Sequence, residues 1–299
     1  MDKDGDPEPR AKKIGQYSLV SFLGLLLITT GCLKSRKQVL PEPEPPAANT
    51  IKKDSFSVEP DNGKKKIYLT FDDGPNAGTR VVMNILKEAK VPATFYMIGL
   101  HRYGSPMQAK LWDEVNAEPS FEVCNHSFTH GYHNNFAKFY SDVDGAVSDF
   151  VKNNDSLKFN NTICRAPASN VWRMPGLRED HLYHKRTQVM DSLFSLGYCF
   201  TGWDWEWRFN GRNQKAIQSP DQLIREMDSM FRLNETRHKD HMILLAHDLV
   251  YADSADAAML RDFIFKLKAR SDYELRLISE YPGAGVAFHK NTALAKKDH

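Results

Sequence analysis

Residues 66–75 read KIYLTFDDGP, an apolar run that stops at two adjacent carboxylates, Asp72 and Asp73, and turns at once through Gly74-Pro75. The run is rich in β-branched and aromatic residues, long enough for a buried strand and too short for a helix. One Asp suffices to close a turn or cap a following helix. Two in succession raise the cost of ionising each other, and a cation bound beside them would relieve that repulsion.

Outward from this strand the same texture repeats. TRVVMNILKEAK (79–90) places Val82, Ile85, Leu86 and Ala89 on one helical face, and ATFYMIG (93–99) reads as a strand again. Further strands are expected at FEVCN (121–125), NTICR (161–165), GYCFTGW (197–203), HMILLAH (241–247) and YELRLIS (273–279). Helical patterns lie between them, around 105–117, 141–154, 180–196, 219–234 and 255–270. Seven strands interleaved with helices predict an α/β fold, a distorted (β/α)7 barrel forming a single catalytic domain over residues 66–285.

The flanks differ in kind. RAKK followed by IGQYSLVSFLGLLLITTGC is the basic-then-apolar pattern of an export signal, which makes residues 1–32 a leader ending at Cys32. The small residues before Cys32 resemble a bacterial lipoprotein signal, implying lipidation of that Cys and a membrane anchor at the cell envelope; soluble export and a plain membrane anchor are the alternatives. Residues 33–65 are rich in Pro, Lys and Glu and read as an extended tether, and 286–299 as a polar tail. A net charge of +2 gives no reason to expect a nucleic-acid partner.

Polar residues collect at the C-terminal ends of the expected strands. Asp72 and Asp73 follow the first, His126 the third, Arg165 the fourth, Asp204 and Glu206 the fifth, and His247 the sixth. In a parallel barrel these ends open on one face, so residues 175 positions apart can share a pocket. HSFTH sets His126 and His130 four apart, where a helical turn would point both imidazoles one way, as a shared metal needs. Two His with one Asp leave a coordination position open, the arrangement of a catalytic rather than a structural zinc. Taken singly, each feature has a plainer reading: a chance pair of His, a turn Asp, a surface hydrogen bond.

In this order and spacing TFDDGP, NHSFTH, RAP, WDWEW and LAHD resemble the metal-dependent polysaccharide deacetylases of carbohydrate esterase family 4, the NodB-homology domain. The resemblance implies that Asp73, His126 and His130 hold a divalent metal, zinc first, with Co²⁺, Ni²⁺ or Fe²⁺ as alternatives. It implies Asp72 as general base, His247 as general acid, and Arg165 as the residue that orients Asp72. Glu206 or Asp204 would orient His247, and Trp207, Leu245 and Pro167 would line the substrate site. The activity implied is hydrolytic removal of acetyl groups from N-acetylated sugars in a glycan polymer by a monomeric enzyme. A bacterial envelope favours peptidoglycan N-acetylglucosamine; chitin oligomers, poly-N-acetylglucosamine and O-acetyl xylan stay open, as does an inactive glycan-binding lipoprotein of the same fold.

The chain departs from the family pattern in two places. Ala168 stands where an aromatic usually follows the Pro of the third motif, with Trp172 as a candidate replacement for the pocket wall. Glu206, not Asp, precedes Trp207. Strand alternation would turn Trp203 and Trp205 toward outer helices, with Asp204 and Glu206 inward. Cys124, Cys164 and Cys199 are expected to be buried thiols, and His133 a solvated loop residue.

Overall fold

The computed structural model describes residues 62–180 and 187–287. The export signal with Cys32, the tether up to residue 61, the first part of the helix expected at 180–196 and the tail from 288 lie outside the described residues. In chain order the strands are β1 (Lys65–Gly74), β2 (Ala93–Met97), β3 (Phe121–Asn125), β4 (Ile163–Cys164), β5 (Val171–Met174), β6 (Leu177–Asp180), β7 (Cys199–Phe200), β8 (Trp205–Glu206), β9 (Phe209–Asn210), β10 (Lys215–Ala216), β11 (His241–His247) and β12 (Tyr273–Arg276). The helices are α1 (Ala77–Ala89), α2 (Gly99–Arg102), α3 (Pro106–Ala117), α4 (His130–Asn134), α5 (Phe136–Ser141), α6 (Val143–Leu157), α7 (Thr187–Ser195), α8 (Pro220–Leu233) and α9 (Ser254–Ala269). No helix among the described residues is long and apolar enough to cross a membrane.

Strand β1 is the axis of a ten-stranded sheet ordered β6-β5-β7-β4-β3-β2-β1-β11-β8, with β12 also paired to β1. Every pairing along the path is parallel except those of β5 with β6 and with β7. Alternation along β1 builds two cores. Ile67, Leu69 and Phe71 meet Val82, Leu86 and the other outer helices, while Tyr68 joins Tyr96, Cys124 and Ile243 inside. The face of α1 expected from its period, Val82, Ile85, Leu86 and Ala89, is the buried one.

The fourth and fifth strands are shorter than their apolar runs suggest, because side chains take over the ladder. Asn161 donates to the Val123 carbonyl at 2.9 Å and accepts from Ile163 N–H, so β4 starts late. Arg165 takes the carbonyls of Thr201 and Gly202, at 3.3 and 3.0 Å, where β7 would otherwise continue. The segment then changes partners: Thr201 N–H donates to Cys164 and Asp204 N–H to Ile243, carrying the chain from β4 across to β11. That switch bridges the gap in the sheet and gives the barrel its distortion. The β5–β6 hairpin and the β9–β10 ribbon are additions that the seven-strand reading did not contain.

Candidate active site

Asp72 reaches the barrel mouth by parity. It continues the inward series Tyr68, Thr70, Asp72, with Thr70 opposite Leu245 and Asp72 opposite His247. Asp73 would by the same parity point outward, and a bulge prevents it. The β1–β2 register shifts between Asp72 and Gly74, and Asp73 adopts a left-handed φ of 77° that turns its carboxylate back. A non-Gly residue in that region is held there by its surroundings. Here the Asp73 carbonyl accepts from His101 Nδ1 at 2.9 Å and from Asn76 Nδ2 at 3.2 Å. His101 is a contributor to the site that the motifs did not flag; its sole sequence signal is a polar residue just past the β2 end.

Asp73 Oδ1 lies 3.4 Å from His126 Nε2 and 3.2 Å from His130 Nε2. The other nitrogen of each ring is engaged: His126 Nδ1 donates to the Arg165 carbonyl at 3.0 Å, and His130 Nδ1 to Asn134 Oδ1 at 2.5 Å. With both Nδ1 atoms carrying protons, two Nε2 lone pairs converge on a carboxylate oxygen, and that oxygen is buried without a hydrogen bond among the described residues. Such a set is repulsive unless a positive charge lies within it, so these residues fit a divalent cation; their three ligand atoms all lie within 4.8 Å of one another.

The reason His126 and His130 converge is not the helical turn expected from their spacing. His126 ends the β3 hydrogen-bonding run, and residues 130–134 wind left-handed, with φ of 51°, 65°, 55°, 56° and 69°. Thr129 Oγ1 and Ser127 Oγ secure this turn by accepting from the N–H groups of Tyr132 and Gly131. His133, within it, is exposed.

Arg165 is fully buried and spends its donors on the site. Nη1 donates to Asp72 Oδ1 at 2.9 Å and to Thr70 Oγ1 at 2.7 Å, and the guanidinium lies 4.0 Å over the Tyr96 ring. Asp72 is thus held through one oxygen, while Oδ2 faces the ligand cluster, 3.7 Å from His126 Nε2.

Across the mouth, His247 Nδ1 lies 4.0 Å from Glu206 Oε1. Asp204 does not share that task. Its Oδ1 accepts from Arg237 N–H and its Oδ2 from Ile243 N–H, both at 2.8 Å, which ties the strand switch to β11; burial raises its carboxyl to about 6. Glu206, facing inward, is also pushed up by burial, opposed by His247.

The tryptophans take the following places. Trp207 is buried in the outer core against Phe263 and Tyr251, its indole donating to the Gln218 carbonyl at 3.0 Å, because strand parity sends it away from Glu206. Trp172 is wholly buried in the inner core beside Tyr281 and does not replace the aromatic missing at the exposed Ala168. Trp203, after the strand switch, packs on the inner cluster and near Arg165, not on outer helices. Trp205 packs outward and donates to Glu226. Leu245 is buried beneath His247, and Pro167 is buried with its carbonyl accepting from Tyr140 OH at 2.6 Å. Cys124, Cys164 and Cys199 are buried, as expected, and none forms a disulfide among the described residues.

Beneath the mouth, Asp248 fastens the two ends of the site together. It accepts from Asn76 Nδ2 at 2.5 Å and from Thr79 Oγ1, and burial lifts its carboxyl to about 8. A Cβ at Gly78 would sit 1.8 Å from the Asp248 carbonyl oxygen, so glycine is needed for α1 to approach this closely.

The barrel fold is shared with solved carbohydrate esterase family 4 structures. Residues 59–191 match the family described as "Polysaccharide deacetylase". A peptidoglycan-N-acetylglucosamine deacetylase of Bacillus cereus is 35% identical over 159 residues, 50% of each chain, and a chitin disaccharide deacetylase of Vibrio alginolyticus is 37% identical with 64% of each covered. The chain spans about half the length of the first of these relatives. A Streptococcus mutans family 4 esterase superposes with a TM-score of 0.55 at 18% identity, covering 72% of this chain and 87% of that one. The catalytic domain of a Eubacterium rectale peptidoglycan N-acetylglucosamine deacetylase gives 0.52 at 20%, covering 73% and 90%; identities this low speak to the fold alone. Over residues 59–191 the chain is similar to the polysaccharide deacetylases, and its relatives at 35% and 37% identity carry deacetylase names.

Proposed function

We propose that this protein is an exported, lipid-anchored hydrolase that removes acetyl groups from N-acetylated sugars of a glycan polymer, with peptidoglycan N-acetylglucosamine as substrate. The observation that carries the hydrolytic reading is the buried Arg165–Asp72 pair beside the ligand cluster. A site that merely retained a metal would need Asp73 and the two His only.

Asp73, His126 and His130 would hold a divalent cation, which when bound supplies Lewis-acid polarisation of a carbonyl and activation of water. Asp72 Oδ2 accepts the proton of the attacking water, while Arg165 keeps Oδ1 occupied and the carboxylate oriented. His247, across the mouth with its Nδ1 4.0 Å from Glu206 Oε1, donates a proton to the departing sugar nitrogen. Asp204 holds the backbone on which Glu206 is carried. Trp207 acts from the outer core, setting the strand on which Glu206 faces inward. The leader, tether and Cys32 supply the reason for preferring a wall polymer over soluble chitin oligomers.

The experiment is acetate release from purified peptidoglycan, chitin oligomers and acetyl xylan, with and without a chelator, alongside Asp72→Asn. Release from peptidoglycan that is lost in the variant and on chelation supports the reading; a wild type that binds glycan and releases no acetate from any of the three would overturn it.

A further inference from the structure

We propose that Phe209, on the β9–β10 ribbon, is a positioning residue that fixes the His247 imidazole in its reactive orientation. An acid–base histidine is commonly oriented by a hydrogen bond to its second ring nitrogen. In this chain His247 Nδ1 is buried and makes no hydrogen bond among the described residues, and the nearest carboxylate oxygen, on Glu206, is 4.0 Å away. Phe209 packs on the ring, with centroids 4.8 Å apart and planes tilted by 59°. That geometry is within the range of favourable aromatic pairs.

The ribbon lies outside the parallel sheet and is firmly pinned. Phe209 pairs with Ala216, whose N–H donates to the buried Asp256 at 3.1 Å, and Lys215 bridges Asp253 at 2.6 Å and Asp256 at 3.3 Å. Asp253 and Asp256 open α9, which follows within a few residues of His247, so ring and imidazole are referred to the same helix start. At the other end Gln218, itself 1% exposed, accepts from Arg208 N–H at 2.8 Å and donates to the Glu206 carbonyl at 3.2 Å. The segment that carries Glu206 is thereby locked to the segment that carries Phe209. Two short strands held from both sides make a rigid mount for one aromatic ring against the histidine.

The kinetic arm of the test rests on the deacetylase reading, and a spectroscopic arm does not. Phe209→Leu keeps apolar volume and removes the ring; Phe209→Tyr restores it. The expected result is a fall in kcat of about tenfold in the Leu variant with KM within twofold, recovered in the Tyr variant, at unchanged melting temperature and metal content. By NMR, the His247 ring resonances should be single and sharp in the wild type and the Tyr variant, and broadened or doubled in the Leu variant. Wild-type kcat together with sharp His247 resonances in the Leu variant would overturn the proposal. Absence of acetate release from the wild type would overturn the deacetylase reading instead, leaving the His247 line shapes to decide the positioning role.

Discussion

Arg165 Nη1 donates to Asp72 Oδ1 at 2.9 Å inside the barrel, with neither side chain more than 3% exposed. The same guanidinium closes the ends of two strands through Thr201 and Gly202, so one buried side chain serves both the sheet and Asp72. Removing one partner of such a pair leaves an uncompensated buried charge, which costs about 3–5 kcal/mol.

Asp72→Asn preserves the shape of that contact and removes the base. Acetate release should fall by about 10²-fold or more while zinc binding, read by titration calorimetry, stays within a fewfold of wild type. Full activity in the variant would sink the base assignment. Arg165→Ala should lower the unfolding free energy by about 3 kcal/mol, measured in urea, as the loss of either charge of the pair does.

If Asp73, His126 and His130 hold the proposed cation, thermal stability should depend on metal. Zn²⁺ at about 1,000 times its Kd should stabilise the chelator-stripped protein by about 4 kcal/mol. His130→Ala should abolish most of that gain, since two ligands remain. An equal melting shift in wild type and variant would place the cation elsewhere.

Asp204 and Glu206 should separate cleanly, although they are two residues apart. Asp204→Ala orphans the Arg237 and Ile243 N–H groups and should cost about 1–3 kcal/mol for each. Glu206→Gln should leave the urea midpoint unchanged and depress kcat. Equal stability losses in the two variants would show that both carboxylates are structural.

Asp248 gives a signed pH dependence. Burial raises its carboxyl from the ordinary 3.8 to about 8, so the folded state binds this proton more tightly than the unfolded one. Its contribution to stability is fully present below the unfolded value and is lost as pH rises through about 8. Asp248→Asn keeps an acceptor for Asn76 and carries no charge. Between pH 4 and 8 the wild type should lose stability with rising pH relative to this variant, followed as the difference in melting temperature. A constant difference across that window would refute a buried, proton-holding Asp248.

What the sequence determined by itself was carried by local regularity. A period of two in KIYLTF, a period of 3.6 in the first helix, and the recurrence of polar residues just after apolar runs identify parallel strands, their outer helices and the face on which the site opens. Those signals are local because each side chain's direction follows from its own backbone. They also bring Asp72, His126, Arg165, Glu206 and His247 to one mouth.

Only the tertiary structure decided how neighbouring residues divide. Asp73 points to the ligand cluster through a left-handed bulge, and His130 arrives on a left-handed turn. Both conformations are locally unfavourable and are held by partners distant in sequence, such as His101 for the Asp73 carbonyl. Asp204 and Glu206 look equivalent in WDWEW, yet the strand switch between β4 and β11 gives one to the backbone and leaves the other facing His247. Trp172 and Trp207 were absorbed by cores whose packing depends on strands far along the chain. Local pattern states which way a side chain leaves its strand; what it meets there is settled by long-range packing and by which buried polar groups find partners.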